Sequence, residues 1–425
     1  MFKIAVFAFV SLLFSGCVSM SSAQPEKSVA AVKVFEQEDA LILYALRAEE
    51  VGDYSSSAVI FNTLYEKSDK KEYLYRSLQS TLTAQKSQEA IDRVDALTQG
   101  SLDDFVLVRI KIIALVQQEK LDEAKELALR LVEKSEFVDD YLLVNEIYIK
   151  QGKFNTAAKY LESAYRKDYN EKILDQLSIV LYVNLQRQKD AIALLETHTR
   201  VYGCSEQICG RLLGFYSDRN NIDGVLSTYL RLYKINSSQE IAKKIVQIYS
   251  YKKEYIKLMD FLEQSKSDDE TLLQIYASTK NYAKAFPLAD KLYSKTGEIH
   301  YLGESAIYQY EASADKNNKE MLDEVVKKFN EVIKQDNSPL YLNYFGYILI
   351  EHDIDLKWGM VYVNRALKSE PDSPYYLDSL AWGYYKLGDC AKAGRLMKRV
   401  VKKLEGGDVE EVEQHLKAIN KCLKQ

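Results

Sequence analysis

The sequence predicts an all-α fold, a solenoid of about eleven stacked helical hairpins closed by one further helix. Three observations predict it. Helix breakers are scarce, with five prolines and 17 glycines in 425 residues. Small residues recur at Ser57, Ala90, Ala124, Ala157, Ala191 and Gly224, at spacings of 33, 34, 33, 34 and 33, and the phase returns at Gly359 and Ala393, again 34 apart. Hydrophobic residues make up 47% and charged residues 28%, the balance of a chain that folds.

The N-terminus reads as a targeting segment. Met1–Lys3 carry one positive charge, Ile4–Phe14 are apolar apart from Ser11, and Ser15-Gly16-Cys17 follow. An apolar run this short cannot span a hydrocarbon core, which needs about 20 residues, so residues 1–16 are expected to be a signal peptide. The small residues before Cys17 resemble the bacterial lipobox. That resemblance implies cleavage before Cys17 and acylation of Cys17, anchoring the chain in a membrane. Val18 and Ser19 stand where lipoproteins of the inner membrane carry Asp, so the resemblance points to the outer membrane, facing the periplasm. Residues 17–36, rich in Ser, Ala and Val, read as a tether.

The body divides into an array over 37–265, two irregular repeats over 266–336, a regular pair over 337–404 and a capping helix over 405–425. The clearest copy runs from Tyr141 to Tyr148, through Gly152-Lys153-Phe154, to Ala157, Leu161 and Ala164. Gly152 is expected to end the first helix in a left-handed turn, and Ala157 to sit where the two helices cross closely. Among the irregular repeats, 266–297 is short with Pro287 inside its second helix, and 298–336 is long, interrupted by Asp315-Lys316-Asn317-Asn318. In the final pair, Ser338-Pro339-Leu340-Tyr341-Leu342-Asn343 repeats as Ser373-Pro374-Tyr375-Tyr376-Leu377-Asp378, with the prolines opening helices. The earlier copy carries one extra residue around Glu351–Asp355. After Gly406-Gly407, Asp408 and Glu411 are spaced as a capping box, and Val412, Leu416 and Ile419 line one side of the last helix.

These patterns resemble the tetratricopeptide repeat, whose hairpins stack into a right-handed superhelix and bind proteins. With the anchor, the chain resembles tetratricopeptide outer-membrane lipoproteins of Gram-negative bacteria, one of which is the adaptor of a periplasmic carboxyl-terminal-processing protease. Asn343, Gly346-Tyr347 and the run Leu377–Tyr385 carry the resemblance. It implies a scaffold that holds a periplasmic protease or cell-wall hydrolase. The alternative is a structural part of an envelope machine such as a pilus, flagellar motor or secretion assembly.

Four cysteines remain beside Cys17, an even number suited to an oxidising compartment. Cys390 lies 16 residues before Gly406 and Cys422 lies 16 after it, so two antiparallel helices joined there place the two thiols opposite each other. A Cys390–Cys422 disulfide is expected to staple the cap. With Ser205 as N-cap, Cys204 can curl back to Cys209, giving a second bond; two free buried thiols are the alternative.

Nothing in the sequence specifies an enzyme. It holds no G-x-S-x-G, P-loop, G-x-G-x-x-G or H-E-x-x-H motif, and the acidic runs fall at helix starts, where they suit the helix dipole. Scattered histidines and distant thiols argue against zinc, and no cofactor is expected. A net charge of −5 argues against nucleic acid as a partner. Lys392, Arg395, Lys398, Arg399, Lys402 and Lys403 read as a solvated face, with an anionic partner as second possibility. The candidate site is a surface. Leu340, Asn343, Tyr347 and Ile350 in the penultimate repeat, and Tyr375, Asp378, Trp382 and Tyr385 in the last, occupy the groove-facing positions of first helices. Aromatic anchors there suit recognition of a protein partner; alternatively the cap helix covers part of the set, or some of it is core between repeats.

Overall fold

The computed structural model describes residues 33–404 and 410–424. The expected signal, Cys17 and the Gly406-Gly407-Asp408 stretch lie outside them. The described residues contain eleven helical hairpins, one further helix and no strand. They fall into two compact units, Met1–Arg211 and Leu212–Gln425.

In the first unit, α1 (Glu38–Glu50) pairs with α2 (Tyr54–Ser68), α3 (Lys71–Thr83) with α4 (Ser87–Thr98), α5 (Phe105–Gln117) with α6 (Leu121–Ser135), and α7 (Val138–Lys150) with α8 (Phe154–Asp168). Next, α9 (Glu171–Ile179) pairs with α10 (Gln188–Tyr202). The unit break falls inside α11 (Glu206–Asp218), whose hairpin partner is α12 (Ile222–Ile235). In the second unit follow α13 (Gln239–Lys252) with α14 (Tyr255–Ser265), α15 (Asp269–Ser278) with α16 (Tyr282–Thr296), and α17 (Ile299–Ala312) with α18 (Lys319–Gln335). The series ends with α19 (Pro339–Glu351) and α20 (Leu356–Ser369), α21 (Pro374–Lys386) and α22 (Cys390–Leu404), and the extra helix α23 (Glu410–Cys422).

The small residues hold the hairpins together. Ser57, Ala90, Ala124, Ala157, Ala191 and Ala393 are all fully buried. A Cβ on Gly224 would stand 2.4 Å from the Tyr216 ring. Between α19 and α20 the contact is backbone to backbone: a Cβ on Gly346 would meet the Gly359 carbonyl oxygen at 2.7 Å, and one on Gly359 would meet the Gly346 carbonyl oxygen at 2.7 Å.

The turn inside each hairpin is also constant. Gly52, Gln85, Glu119, Gly152, Gln186, Asn220, Lys253, Lys280, Asp353 and Gly388 all have positive φ, between 52° and 80°. Ten of the eleven hairpins therefore use one left-handed residue at the same place, and only three of these are glycine. The exception joins α17 to α18 through residues 313–318, the interruption the sequence shows, and Pro287 lies within α16. One departure was not legible in the sequence. After α9 the chain winds as a π-turn over Val180–Asn184, and the Leu185 N–H donates to the Val180 carbonyl oxygen at 3.0 Å.

In the first unit, ion pairs tie neighbouring first helices. Lys70 pairs with Glu38 at 2.6 Å, Lys71 with Asp104 at 2.8 Å, Arg109 with the buried Asp140 at 2.6 Å, and Arg211 with Asp175 at 2.6 Å.

Candidate binding surface at the C-terminal repeats

Pro339 and Pro374 stand in the first turns of α19 and α21, where a missing N–H costs nothing. They set two equivalent helices, and the candidate side chains sit along them. Leu340 and Tyr375, at the starts of the two helices, are exposed. Ile350 is fully buried and belongs to the core, packed with Val363 and Leu380. Asn343 and Asp378 are buried at equivalent positions. Tyr347, Trp382 and Tyr385 are half-buried.

The structure brings Tyr347, Asp378, Trp382 and Tyr385 together beneath α23. Val412 and Ile419 bury this helix against Leu377, Ala393, Met397 and Val400 of the last hairpin. Its other contacts are polar and aromatic. The His415 ring stacks on Trp382 with centroids 4.0 Å apart, and Trp382 stacks on Tyr385 at 4.6 Å. His415 Nδ1 lies 2.9 Å from Asp378 Oδ2, with both residues buried. The Tyr347 hydroxyl donates to the Glu411 carboxylate, so α23 reaches past the last hairpin to the penultimate one. Trp382 Nε1 donates to Glu351, and Lys386 donates to the Glu351 carbonyl oxygen and pairs with Asp353, each at 2.9 Å. Of the expected capping box, Asp408 lies outside the described residues, while Glu411 Oε1 accepts from Tyr347.

Tyrosines and carboxylates continue along α17 and α19. The Tyr344 hydroxyl donates to Glu311 at 3.4 Å, and Tyr310 meets His352 Nε2 at 3.1 Å. Tyr282 and Tyr308 stack at 5.7 Å. Burial, and then neighbouring carboxylates, push the phenols of Tyr310, Tyr344 and Tyr347 well above the usual tyrosine range, and Tyr308 to about 12. Burial also raises the Glu304 carboxyl and lowers the His352 imidazole. The phenols stay neutral hydrogen-bonding groups near neutral pH.

The cysteines fall where expected. Cys390, opening α22, and Cys422, ending α23, have their sulfurs at bonding distance and Cα atoms 5.8 Å apart. Cys204 and Cys209 do likewise with Cα atoms 5.7 Å apart. Ser205 caps α11 by accepting the Ile208 N–H at 3.2 Å. Lys392, Arg395, Lys398, Arg399, Lys402 and Lys403 are all exposed, and Arg399 and Lys403 face Asp372.

Sequence reasoning missed Glu411 and His415 as ligands of the candidate surface. The available signal was their i, i+4 spacing on the polar side of an amphipathic helix, which places them one turn apart on one face.

No protein-family profile matches the chain, and no curated protein matches it. Solved structures similar to it include one from the APC/C hetero-tetramer Cut9-Hcn1, at 10% identity over 90% of this chain and 96% of that one, with a TM-score of 0.36. Another is from Naa15/Naa10 bound to HypK-THB, at 11% identity, covering 90% and 66%, with a TM-score of 0.29. A third is a tetratricopeptide repeat protein from Parabacteroides merdae, at 13% identity, covering 58% and 98%, with a TM-score of 0.26.

Proposed function

We propose that the chain is a scaffold that performs no reaction itself and holds a protein partner on the α19–α21 surface, anchored through Cys17 to the outer membrane and facing the periplasm. The observation that carries this reading is the seating of α23. Aromatic and polar side chains of two adjacent repeats already grip a helix through stacking, a buried His–Asp contact and a tyrosine–carboxylate hydrogen bond. The cap helix covers this set, as the alternative in the sequence reading had it, and in the proposed reading the same surface takes a partner's polypeptide through rings of the kind that dominate interface energies. The anchor would hold the partner at the membrane. The partner class in this reading is a periplasmic protease or cell-wall hydrolase, with the scaffold as its adaptor.

Purification from detergent-solubilised membranes tests the reading. A stoichiometric peptidase or hydrolase that is lost with Trp382→Ala/Tyr385→Ala, at unchanged helicity, supports it. Retained capture by that variant removes the surface from the function. Co-purified pilus, motor or secretin subunits would instead make the chain a part of an envelope machine. Loss of membrane association in Cys17→Ala is the outcome expected for the anchor.

A further inference from the structure

The seat of α23 has two acceptors that α23 does not use. Asp378 and Asn343 are 4% and 8% exposed, and Asp378 Oδ1 and Asn343 Oδ1 have no hydrogen-bond partner. Both side chains face the seat. Asp378 is directed at α23 by its bond to His415, and Asn343 precedes by one helical turn Tyr347, whose hydroxyl reaches Glu411. A buried acceptor without a donor destabilises the arrangement that leaves it so. The imidazole of His415 serves only one oxygen of the Asp378 carboxylate. A guanidinium carries five donors in a planar fork that serves both oxygens of a carboxylate.

Charge and shape point the same way. Glu351 flanks the seat with Asp378, and Glu311 lies next along the surface beside Tyr344. The cations near them are Lys386, engaged with Asp353, and Lys316, engaged with Glu311 at 3.7 Å. The Trp382 face on which His415 stacks is a flat face of the kind on which a guanidinium stacks. The seat takes its occupant as a helix, because Glu411 and His415 reach it from consecutive turns of α23.

We propose that this seat is a receptor for an arginine side chain carried on a helical segment of the protein partner, and that α23, with His415 at the centre, is its resident stand-in. The proposal rests on the scaffold reading above and adds the chemistry of what is bound. Displacement requires only the first turns of α23 to lift, since Cys422 holds its far end beside Cys390.

The test uses the full chain and two fluorescein-labelled peptides with the sequence of residues 410–424, both carrying Cys422→Ser and one also carrying His415→Arg. The arginine peptide is expected to bind about tenfold more tightly than the histidine peptide by fluorescence anisotropy, and to lose that advantage in Asp378→Asn. Circular dichroism checks that this variant is folded, and Asn343→Leu, which removes the second acceptor, is expected to shrink the ratio as well. Equal binding of the two peptides, or an advantage unchanged in both variants, overturns the proposal. So does a Cys390→Ser/Cys422→Ser chain that forms a dimer and refuses both peptides, since the occupant would then be a second copy. Partner capture from membranes without an arginine preference leaves the scaffold reading standing alone. An arginine preference without any captured partner defeats the scaffold reading instead.

Discussion

The imidazole of His415 lies parallel to the indole of Trp382, with planes 14° apart and centroids 4.0 Å apart. The same imidazole holds the buried Asp378 carboxylate at 2.9 Å. One side chain of α23 therefore joins the aromatic and acidic halves of the surface beneath it. His415→Ala leaves Asp378 buried without its donor, which costs roughly 3 kcal/mol. Hydrogen exchange should show the loss concentrated in α23 and α21. In a double-mutant cycle, Asp378→Ala added to His415→Ala should cost less than the sum of the two changes.

The Cys390–Cys422 pair spans 32 residues of chain. A bond across such a loop stabilises by roughly 3–4 kcal/mol through the unfolded state. Mass spectrometry of unreduced peptides should find these two residues linked, and reduction should lower the melting temperature of the C-terminal repeats. The five-residue Cys204–Cys209 separation closes a much smaller loop, and reduction there should cost roughly 2 kcal/mol. Free thiols at both pairs in the protein purified without reductant would contradict the assignment.

Gly346 and Gly359 approach so closely that an added methyl group meets backbone, which cannot turn aside. Gly346→Ala and Gly359→Ala should each destabilise by about 1–3 kcal/mol, read from urea unfolding. Gly388 has open space around its Cα but a φ of +80°, so Gly388→Ala tests conformational strain alone and should cost about 1 kcal/mol.

The left-handed turns give the opposite sign. Glu119 and Lys253 hold φ of 59° and 56° with a side chain that disfavours it. Glu119→Gly and Lys253→Gly should each raise stability by about 0.5–1 kcal/mol, measured as an upward shift of the thermal midpoint. An unchanged or lower midpoint in both would show that these side chains make contacts worth more than the strain.

At the other end of the array, Glu38 is buried and accepts from Lys70 Nζ, the Tyr73 hydroxyl and the Val34 N–H. These bonds, that from Lys70 first, lower its pKa from 4.5 to about 2. The folded-state value is depressed, so its contribution is complete above about pH 4.5 and is lost as pH falls towards 2. An acid titration followed by circular dichroism should show α1 and α2 loosening in that window. Glu38→Gln should be less stable at neutral pH and should flatten the titration.

The hairpins were legible because steric demand leaves a mark on residue type. Ala124, Ala157 and Ala393 are small since a neighbouring helix leaves no room, and their spacing gives the repeat length directly. The position of Cys422 against Cys390 followed from their equal spacing, 16 residues, on either side of Gly406. The candidate surface was legible only in part. Tyr347, Asp378 and Trp382 do share one surface, but Ile350, at the equivalent of an open position, is core because Gly383 lets α19 and α21 approach. The docking of α23 into this surface is a tertiary contact that periodicity does not encode. The π-turn at Val180–Asn184 left no mark either, since one residue of extra winding is absorbed within a 34-residue repeat.

Ten copies of one hairpin turn are written with six different amino acids. Backbone shape, and not any preferred letter, is what the copies inherit in common. A search keyed to consensus glycines would register three of the ten and pass over the others. Proteins built this way can drift until their ancestry is visible only as a rhythm of lengths, which makes pitch a more durable marker of kinship than identity.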